Sequence, residues 1–413
     1  MKTDTNHLPL VETACPTSEG ELAEVVRRAC AEGTPVYPIG GGTVLDYGGM
    51  PSEPGIGLSL VGLNRVIDYA ADDMTITVEP GLTLAELRKT LAPRGQRLPV
   101  DAAEPLRMTI GGIAAMDLAG PRRYAFGTMR DHAIGLRAVD GQGTAFSTGG
   151  QVVKNAAGYN LGRLLVGSLG TLGIITQVTL LVRPQPETSA VVIAEMKSFD
   201  AVEQLLAALS KTRISPVALE VLAGPVADHW AALGPMRRGS VARVFIGLEG
   251  TGDEVAWMVE TLRLQWRELP VASSTVISGD GAGPTSEWLL ALPADVAIRI
   301  LPGHTIGLMN QLLGQLTQVS LQADAGNGEI RLRLSERRPE AFARAVREVL
   351  RPTIEPCGGR MILLHPADEC AALLGPRDLW GPPPAGHALM QAIKDRFDPQ
   401  GILNPGRSIF ANR

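Results

Sequence analysis

Four glycine-rich loops carry the residue types and spacings in this chain that could do chemistry. The first, Pro38-Ile39-Gly40-Gly41-Gly42-Thr43, directly follows a short apolar run. Three successive glycines let the backbone turn tightly and direct several N–H groups to one side, an arrangement that suits an anion such as a pyrophosphate. Taken alone, the same residues also suit a plain tight turn. The second loop is Thr109-Ile110-Gly111-Gly112. The third is Gly120-Pro121-Arg122-Arg123-Tyr124, continuing to Phe126-Gly127 and Arg130-Asp131. The fourth runs from Lys154-Asn155-Ala156-Ala157-Gly158-Tyr159-Asn160-Leu161 into Gly167-Ser168-Leu169-Gly170-Thr171-Leu172-Gly173-Ile174-Ile175-Thr176. Four such loops between residues 38 and 176 exceed what turns alone require. Arg122, Arg123 and Arg130 each offer a two-pronged fork for a carboxylate or a phosphate. Arg130 with Asp131 also reads as a surface ion pair. Lys154 either faces an anionic ligand or ends a solvated strand. Tyr159 is expected to be packed, with one partner for its hydroxyl.

Other familiar catalytic patterns are absent. There is no GxGxxG and no GxxxxGK[ST], so the common dinucleotide and phosphate loops are unsupported. There is no HExxH and no GxSxG. The six His are scattered without metal-ligand spacing, so no metal site is expected. Cys15, Cys30, Cys357 and Cys370 include no CxxC pair, which argues against a disulfide framework, a zinc knuckle or an iron–sulfur cluster and fits a reducing cytoplasm. Over 413 residues, 45% hydrophobic and 20% charged side chains exclude whole-chain disorder. A net charge of −5 gives no basic surplus for nucleic acid or an anionic membrane. The N-terminus lacks the apolar run of a signal peptide. The uncharged stretch 164–182 approaches the length of a membrane span. Its glycines, Gly167, Gly170 and Gly173, and its β-branched second half predict instead a glycine turn followed by a buried strand.

These loops need elements to hold them. Ser18 and Glu21 form a capping signal, apolar spacing continues through Leu22, Val25, Val26 and Ala29, and Gly33 closes the helix. Strands are expected at 36–39, 74–78, 134–139 and 151–154, with Thr83 and Glu86 capping a helix between them. After Arg183-Pro184-Gln185-Pro186 the texture changes to longer units. Strands at 190–196, 241–248, 329–334 and 361–364 alternate with helices at 200–211, 253–268 and 339–350, and a strand–helix pair covers 295–315. Strands and helices alternating in this way suggest an α+β domain of the ferredoxin-like kind. No internal repeat stands out.

The ordered set GGGT, TIGG, GPRR-x-x-x-G-x-x-R-D, K-N-x-A-G-Y-N-L and GSLGTLGIIT, spanning residues 38–176, resembles the FAD-binding domain of the vanillyl-alcohol oxidase/PCMH flavoprotein superfamily. Within it, the GPRR element, the K-N-x-A-G-Y run and the tail Phe397-Asp398-Pro399-Gln400-Gly401-Ile402-Leu403-Asn404-Pro405-Gly406-Arg407 are most similar to the smaller FAD-binding subunit of bacterial glycolate oxidases. The resemblance covers most of the chain and is strong in 34–183 and 394–407. It implies an α+β protein: a PCMH-type two-subdomain FAD-binding domain at 1–185, a ferredoxin-like α+β cap at 186–392, and a segment, 393–413, returning to the FAD site. It implies that Pro38, Ile39, Gly40, Gly41, Gly42 and Thr43 wrap the FAD pyrophosphate. Thr109, Gly111 and Gly112 would approach the ribityl or pyrophosphate region, with Arg122 also at the cofactor. Gly170, Gly173, Ile174 and Ile175 would lie along the adenosine end, and Asn404 would face the flavin. The glycines would leave room for a backbone-hugging cofactor. Thr43 stands where covalently flavinylated members carry His, so FAD is expected to be non-covalent.

One departure bears on catalysis. Relatives that oxidise 2-hydroxy acids carry G-H-x-G-D-G-N-x-H in the cap, and here the matching run is Ala323-Asp324-Ala325-Gly326-Asn327-Gly328-Glu329-Ile330-Arg331. Both His positions are replaced, by Asp324 and Arg331, and Arg cannot act as a base because it stays protonated. No catalytic residue is assigned; Lys154, Arg122 and His304 are candidates. The resemblance implies a subunit of a glycolate oxidase-like complex that oxidises a small 2-hydroxy acid. Its expected partners are a larger FAD-containing subunit and an iron–sulfur subunit, with this chain relaying electrons or stabilising the assembly. Any membrane association would come through those partners. Two alternatives stay open: a stand-alone FAD-dependent 2-hydroxy acid dehydrogenase, and a flavin-free scaffold.

Overall fold

The computed structural model describes residues 8–47, 51, 53–150, 161–228, 233–279, 282, 289, 294–364 and 368–407. Packing divides the chain into two units. One comprises Met1–Ala119, Gly127–Gln185 and Pro382–Arg413, the other Gly120–Phe126 and Pro186–Gly381. The seven residues Gly120–Phe126 therefore pack with the second unit, apart from the rest of 1–185.

In the first unit, β1 (Leu10–Ala14), β2 (Val36–Ile39) and β3 (Gly55–Ser59) form a parallel sheet in the order β1-β3-β2. The helix Glu19–Glu32 begins where Ser18 Oγ accepts the Glu21 N–H at 3.2 Å and ends at Gly33, in the left-handed region. Its apolar stripe of Leu22, Val26 and Ala29 is fully buried against Val36, Ile56 and Leu58, which fixes where β2 ends and the first glycine loop begins. Five further strands, β4 (Val66–Ala70), β5 (Thr75–Val78), β7 (Ala133–Val139), β8 (Ala145–Gly149) and β9 (Ile174–Leu181), make an antiparallel sheet in the order β4-β5-β9-β7-β8. The short strands β6 (Gln96–Arg97) and β10 (Arg183–Pro184) pair separately. The expected strand at 151–154 lies outside the described residues; the strand that follows the Gly141–Gly143 turn is β8. The uncharged stretch 164–182 resolves into the end of a one-turn helix, Gly162–Leu165, a glycine turn and the buried β9. Among the described residues, no helix is long and apolar enough to cross a membrane.

The second unit is one antiparallel sheet of eight strands: β11 (Thr188–Met196), β12 (Ala218–Ala223), β13 (Ala242–Gly250), β14 (Val271–Ser278), β15 (Val296–Arg299), β16 (Val319–Asp324), β17 (Glu329–Leu334) and β18 (Arg360–Leu363). Their spatial order is β14-β11-β13-β12-β16-β17-β15-β18. Each half is a β-α-β-β-α-β unit whose strands lie in the ferredoxin-like order, and the halves join edge to edge where β12 pairs with β16. The repeat that the sequence does not display is thus topological. Period-two alternation sends Val319, Leu321 and Ala323 into the large core cluster along with helix residues Leu205, Met258, Leu262 and Leu312. The other face receives Ser320, Gln322 and Asp324.

Candidate functional site

In the first unit one pocket of about 950 Å³, its open mouth included, gathers the glycine loops. Its lining includes Pro38, Gly40, Gly41, Gly42, Thr43, Thr109, Gly111, Gly112, Gly170, Gly173, Ile174, Ile175 and Asn404. Two residues expected with them are elsewhere. Ile39 turns into a small apolar cluster with Leu8 and Tyr37, because alternation along β2 points it away from Pro38. Arg122 belongs to the second unit, where its Nε donates to Glu249 Oε1 at 2.8 Å.

Two of the glycines also answer to contacts within the protein. A Cβ on Gly41 would lie 1.8 Å from the Arg107 carbonyl oxygen, and one on Gly111 would lie 2.4 Å from Pro80 Cβ. Both positions are places where two protein segments touch, and the contact at Gly41 sets the Gly40–Thr43 loop against the residues that lead into Thr109–Gly112, in the lining of one pocket. Thr109 Oγ1 accepts the Gly112 N–H at 3.3 Å, starting the helix Ile110–Met116 at that wall.

The C-terminal segment closes the pocket. The helix His387–Phe397 presents Lys394, whose buried Nζ donates to the Thr171 carbonyl at 2.8 Å and to Asp398. Asp398 in turn accepts the N–H groups of Ile402 and Leu403 at 3.1 and 2.8 Å. The strap then joins β2: Val36 N–H donates to Ile402 O at 2.8 Å and Asn404 N–H to Val36 O at 2.9 Å. Asn404 Nδ2 donates to Leu169 O at 2.7 Å, tying the strap to the fourth glycine loop. Beyond it, Arg407 is 5% exposed and reaches the lining, a residue that the tail motif alone did not mark as functional. Its Nη1 donates to the Tyr47 carbonyl at 3.1 Å, while its Nε and Nη2 have no partner among the described residues. Burial draws the guanidinium down to about 10, against the pull of Asp46 and Tyr37, so it is charged at neutral pH. Tyr37 donates to the Glu53 carbonyl at 2.7 Å, and burial pushes its hydroxyl up to about 12.

The remaining candidates do not converge on this pocket. Lys154 and Tyr159 lie outside the described residues. His304 stands at the N-terminal end of the helix Thr305–Gln315 in the second unit, makes no side-chain capping bond and is exposed. Arg130 and Asp131 do not pair with each other. Arg130 Nη2 donates to Val166 O at 2.8 Å, and Asp131 accepts the Thr128 N–H at 2.9 Å. Arg123 pairs with Glu329 at 2.5 Å, and the Tyr124 ring packs where a Cβ on Gly326 would stand. Cross-strand register sets Glu220, Asp324, Glu329 and Arg299 side by side on one sheet face. Burial pushes the Glu220 carboxyl up to about 8, reinforced by Asp324, and Gln322 Nε2 opposes it by donating at 2.9 Å. Burial raises Asp324 as well, despite two hydrogen bonds from Asn327. Burial also works against ionised Glu329, but Arg331, Arg123 and Arg299 together outweigh it and hold that carboxyl below its usual range. Among the described residues, no three His, Cys, Asp or Glu side chains meet in a geometry that could hold a metal ion.

A pocket with largely apolar walls, glycine backbone in its lining and one buried guanidinium suits a large cofactor that carries both apolar and anionic parts. Comparison with known proteins agrees. A model of an FAD binding domain matches residues 12–149, and one of the C-terminal domain of FAD linked oxidases matches residues 382–408. Glycolate oxidase subunit GlcE of Escherichia coli (strain K12) is 31% identical over 293 residues, 69% of this chain and 76% of that protein. The chain belongs to the PCMH-type family of FAD-linked oxidases. Glycolate oxidase subunit GlcD of Bacillus subtilis (strain 168) is 28% identical over 95% of this chain and 87% of its own length. D-2-hydroxyglutarate dehydrogenase of Xanthomonas citri pv. viticola is 29% identical over 95% and 88%. The solved structure of an alkyldihydroxyacetonephosphate synthase superposes with a TM-score of 0.69 at 17% identity, covering 95% of this chain and 75% of that one, and shares the fold. As a member of the FAD-linked oxidases, the chain is an oxidoreductase with FAD as its cofactor, and the flavin-free scaffold reading falls.

Proposed function

We propose that this FAD-linked oxidase is itself a dehydrogenase that converts a small 2-hydroxy acid to the 2-oxo acid. The observation that carries the reading is the first unit's pocket, in a chain that a glycolate oxidase subunit GlcD and a D-2-hydroxyglutarate dehydrogenase match over nearly its whole length. Bound FAD supplies a hydride acceptor for the substrate carbon. The loop Gly40–Thr43 holds the pyrophosphate through backbone N–H groups. Thr109, Gly111 and Gly112 flank the ribityl chain, and Gly170, Gly173, Ile174 and Ile175 line the adenosine end. Asn404, locked to Leu169, keeps the strap against the cofactor, which is held non-covalently.

A second reading is a relay subunit, serving a larger FAD-containing subunit and an iron–sulfur subunit. Two observations favour it. GlcE is similar over most of its length. The Asp324–Arg331 run offers no imidazole, and its Glu329 is engaged by Arg123, Arg299 and Arg331.

One experiment separates the two. The purified chain is mixed anaerobically with glycolate, D-lactate or D-2-hydroxyglutarate while flavin absorbance is followed. Bleaching by one substrate supports the dehydrogenase. A flavin spectrum unchanged by all three, with bleaching only after the partner subunits are added, supports the relay. Apoprotein that fails to take up added FAD sinks both.

A further inference from the structure

Among the described residues, the pocket's lining contains a single charged side chain, Arg407. All other described lining residues are apolar, glycine, or neutral polar, such as Thr43, Thr109 and Asn404. Arg407 is more than nine-tenths buried, yet only Nη1 has an acceptor, the Tyr47 carbonyl. Nε and Nη2 are both without acceptors among the described residues. A guanidinium presents its donors as a planar fork that suits two oxygens of one phosphate or carboxylate. Burying such a fork half-satisfied is unfavourable unless a ligand anion completes it.

We infer that Arg407 is the counter-cation of the FAD pyrophosphate, its Nε and Nη2 forming a two-pronged contact with phosphate oxygens beside the Gly40–Thr43 loop. This rests on the assignment of the pocket to FAD. Three features support the pyrophosphate over the isoalloxazine ring as the target. The backbone N–H groups of a glycine loop and a guanidinium on the same pocket are complementary parts of a diphosphate site. The doubly charged diphosphate otherwise meets no cation among the described lining residues. The anchor at Tyr47 O holds the guanidinium on the segment that directly continues the glycine loop. Burial lowers the proton affinity of the side chain without discharging it at neutral pH. The Lys394–Asp398 clamp, upstream on the same segment, thereby becomes the device that delivers a cation to the cofactor.

The test uses the full chain as wild type, Arg407→Gln and Arg407→Lys. Each is stripped of flavin, and binding of FAD, ADP and riboflavin is measured by fluorescence and calorimetry. Thermal melts are recorded with and without FAD. Arg407→Gln is expected to weaken FAD and ADP about ten- to hundredfold, with Arg407→Lys in between and riboflavin affinity unchanged. The apoprotein of Arg407→Gln is expected to melt no lower than wild-type apoprotein, because the substitution removes a buried cation two of whose donors are unsatisfied without FAD. Its FAD-loaded form is expected to melt lower than loaded wild type. Equal FAD affinity in all three proteins would overturn the inference. So would a parallel loss of riboflavin binding, which would place Arg407 at the flavin ring. An Arg407→Gln apoprotein that melts well below wild type would show a structural role and would also overturn it. Wild-type apoprotein that binds none of the three ligands would instead overturn the pocket assignment.

Discussion

Glu220 and Asp324 face each other directly across the junction of the two ferredoxin-like halves, paired in register on β12 and β16. Both carboxyls are at least nine-tenths buried, and Glu329 is the next residue along the same row. The three acids are treated differently by their surroundings. Glu329 has three arginines and stays ionised. Glu220 has one amide donor, Gln322, and a carboxylate neighbour, so burial prevails and favours its protonated form.

Stability is therefore expected to fall as pH rises toward 8. Folding raises the Glu220 pKa from its ordinary value of 4.5 to about 8. Between those values the native state binds a proton that the unfolded chain has lost, so alkalinity favours unfolding. The stabilising contribution is complete below about 4.5 and is gone above about 8. Asp324, also raised, deepens the effect in the same direction. Glu220→Gln keeps the shape and removes the titration. Urea denaturation from pH 5 to 9 is expected to show a shallower decline for Glu220→Gln. Its advantage over wild type at pH 9 is on the order of 1 kcal/mol or more. Parallel curves would show that Glu220 titrates normally.

The glycine loops and the tail motif were legible because each is a contiguous run, and their order along the chain decides what no single loop decides alone. The ferredoxin-like character of the second unit was legible from its alternating strands and helices, two of which the structure starts at Ser198 and at a Thr251–Glu254 capping box. What escaped were features set by distant partners. The strand β12, ALEVLA, is buried along its entire length and shows no alternation, while β14, VASSTVIS, is a serine-rich edge. Without them the doubling of the fold could not be seen. Arg122 looked like a phosphate ligand because nothing nearby announces Glu249, 127 residues away. Arg407 reads as an unremarkable tail residue until its burial and its unpaired nitrogens are known.

The C-terminal strap depends on one buried ion pair. Lys394 and Asp398 are 8% and 2% exposed, and between them they bond to Thr171, Ile402 and Leu403. Burial lowers the Lys394 pKa, and Asp398 partly restores it. Removing one member leaves the other charge buried and uncompensated, which costs about 3–5 kcal/mol. Lys394→Met is expected to destabilise the chain by that order and to speed FAD release, since Asn404 and Arg407 ride on the same strap. Stopped-flow release of flavin, measured below the melting temperature, checks the second effect. Release at the wild-type rate would mean that the strap is held without the clamp.

Two glycine substitutions should have opposite signs. At Gly41 a methyl group would stand 1.8 Å from the Arg107 carbonyl oxygen and 2.7 Å from its carbon, both main-chain atoms that no rotamer change can move. Gly41→Ala must push apart the loops at Gly40–Thr43 and Thr109–Gly112, and overpacking of this kind costs about 1–3 kcal/mol. Because those loops form one wall of the pocket, FAD affinity should fall with stability. At Gly307, inside the helix Thr305–Gln315 and exposed, a methyl group meets nothing within 4 Å. Alanine there lowers the entropy lost on folding and should stabilise the protein by about 0.5–1 kcal/mol with FAD affinity unchanged. Denaturant midpoints and flavin titrations on both variants check the contrast. Gly41→Ala with wild-type stability and affinity would show that the two loops can separate freely, and would remove the structural reason for the glycine there.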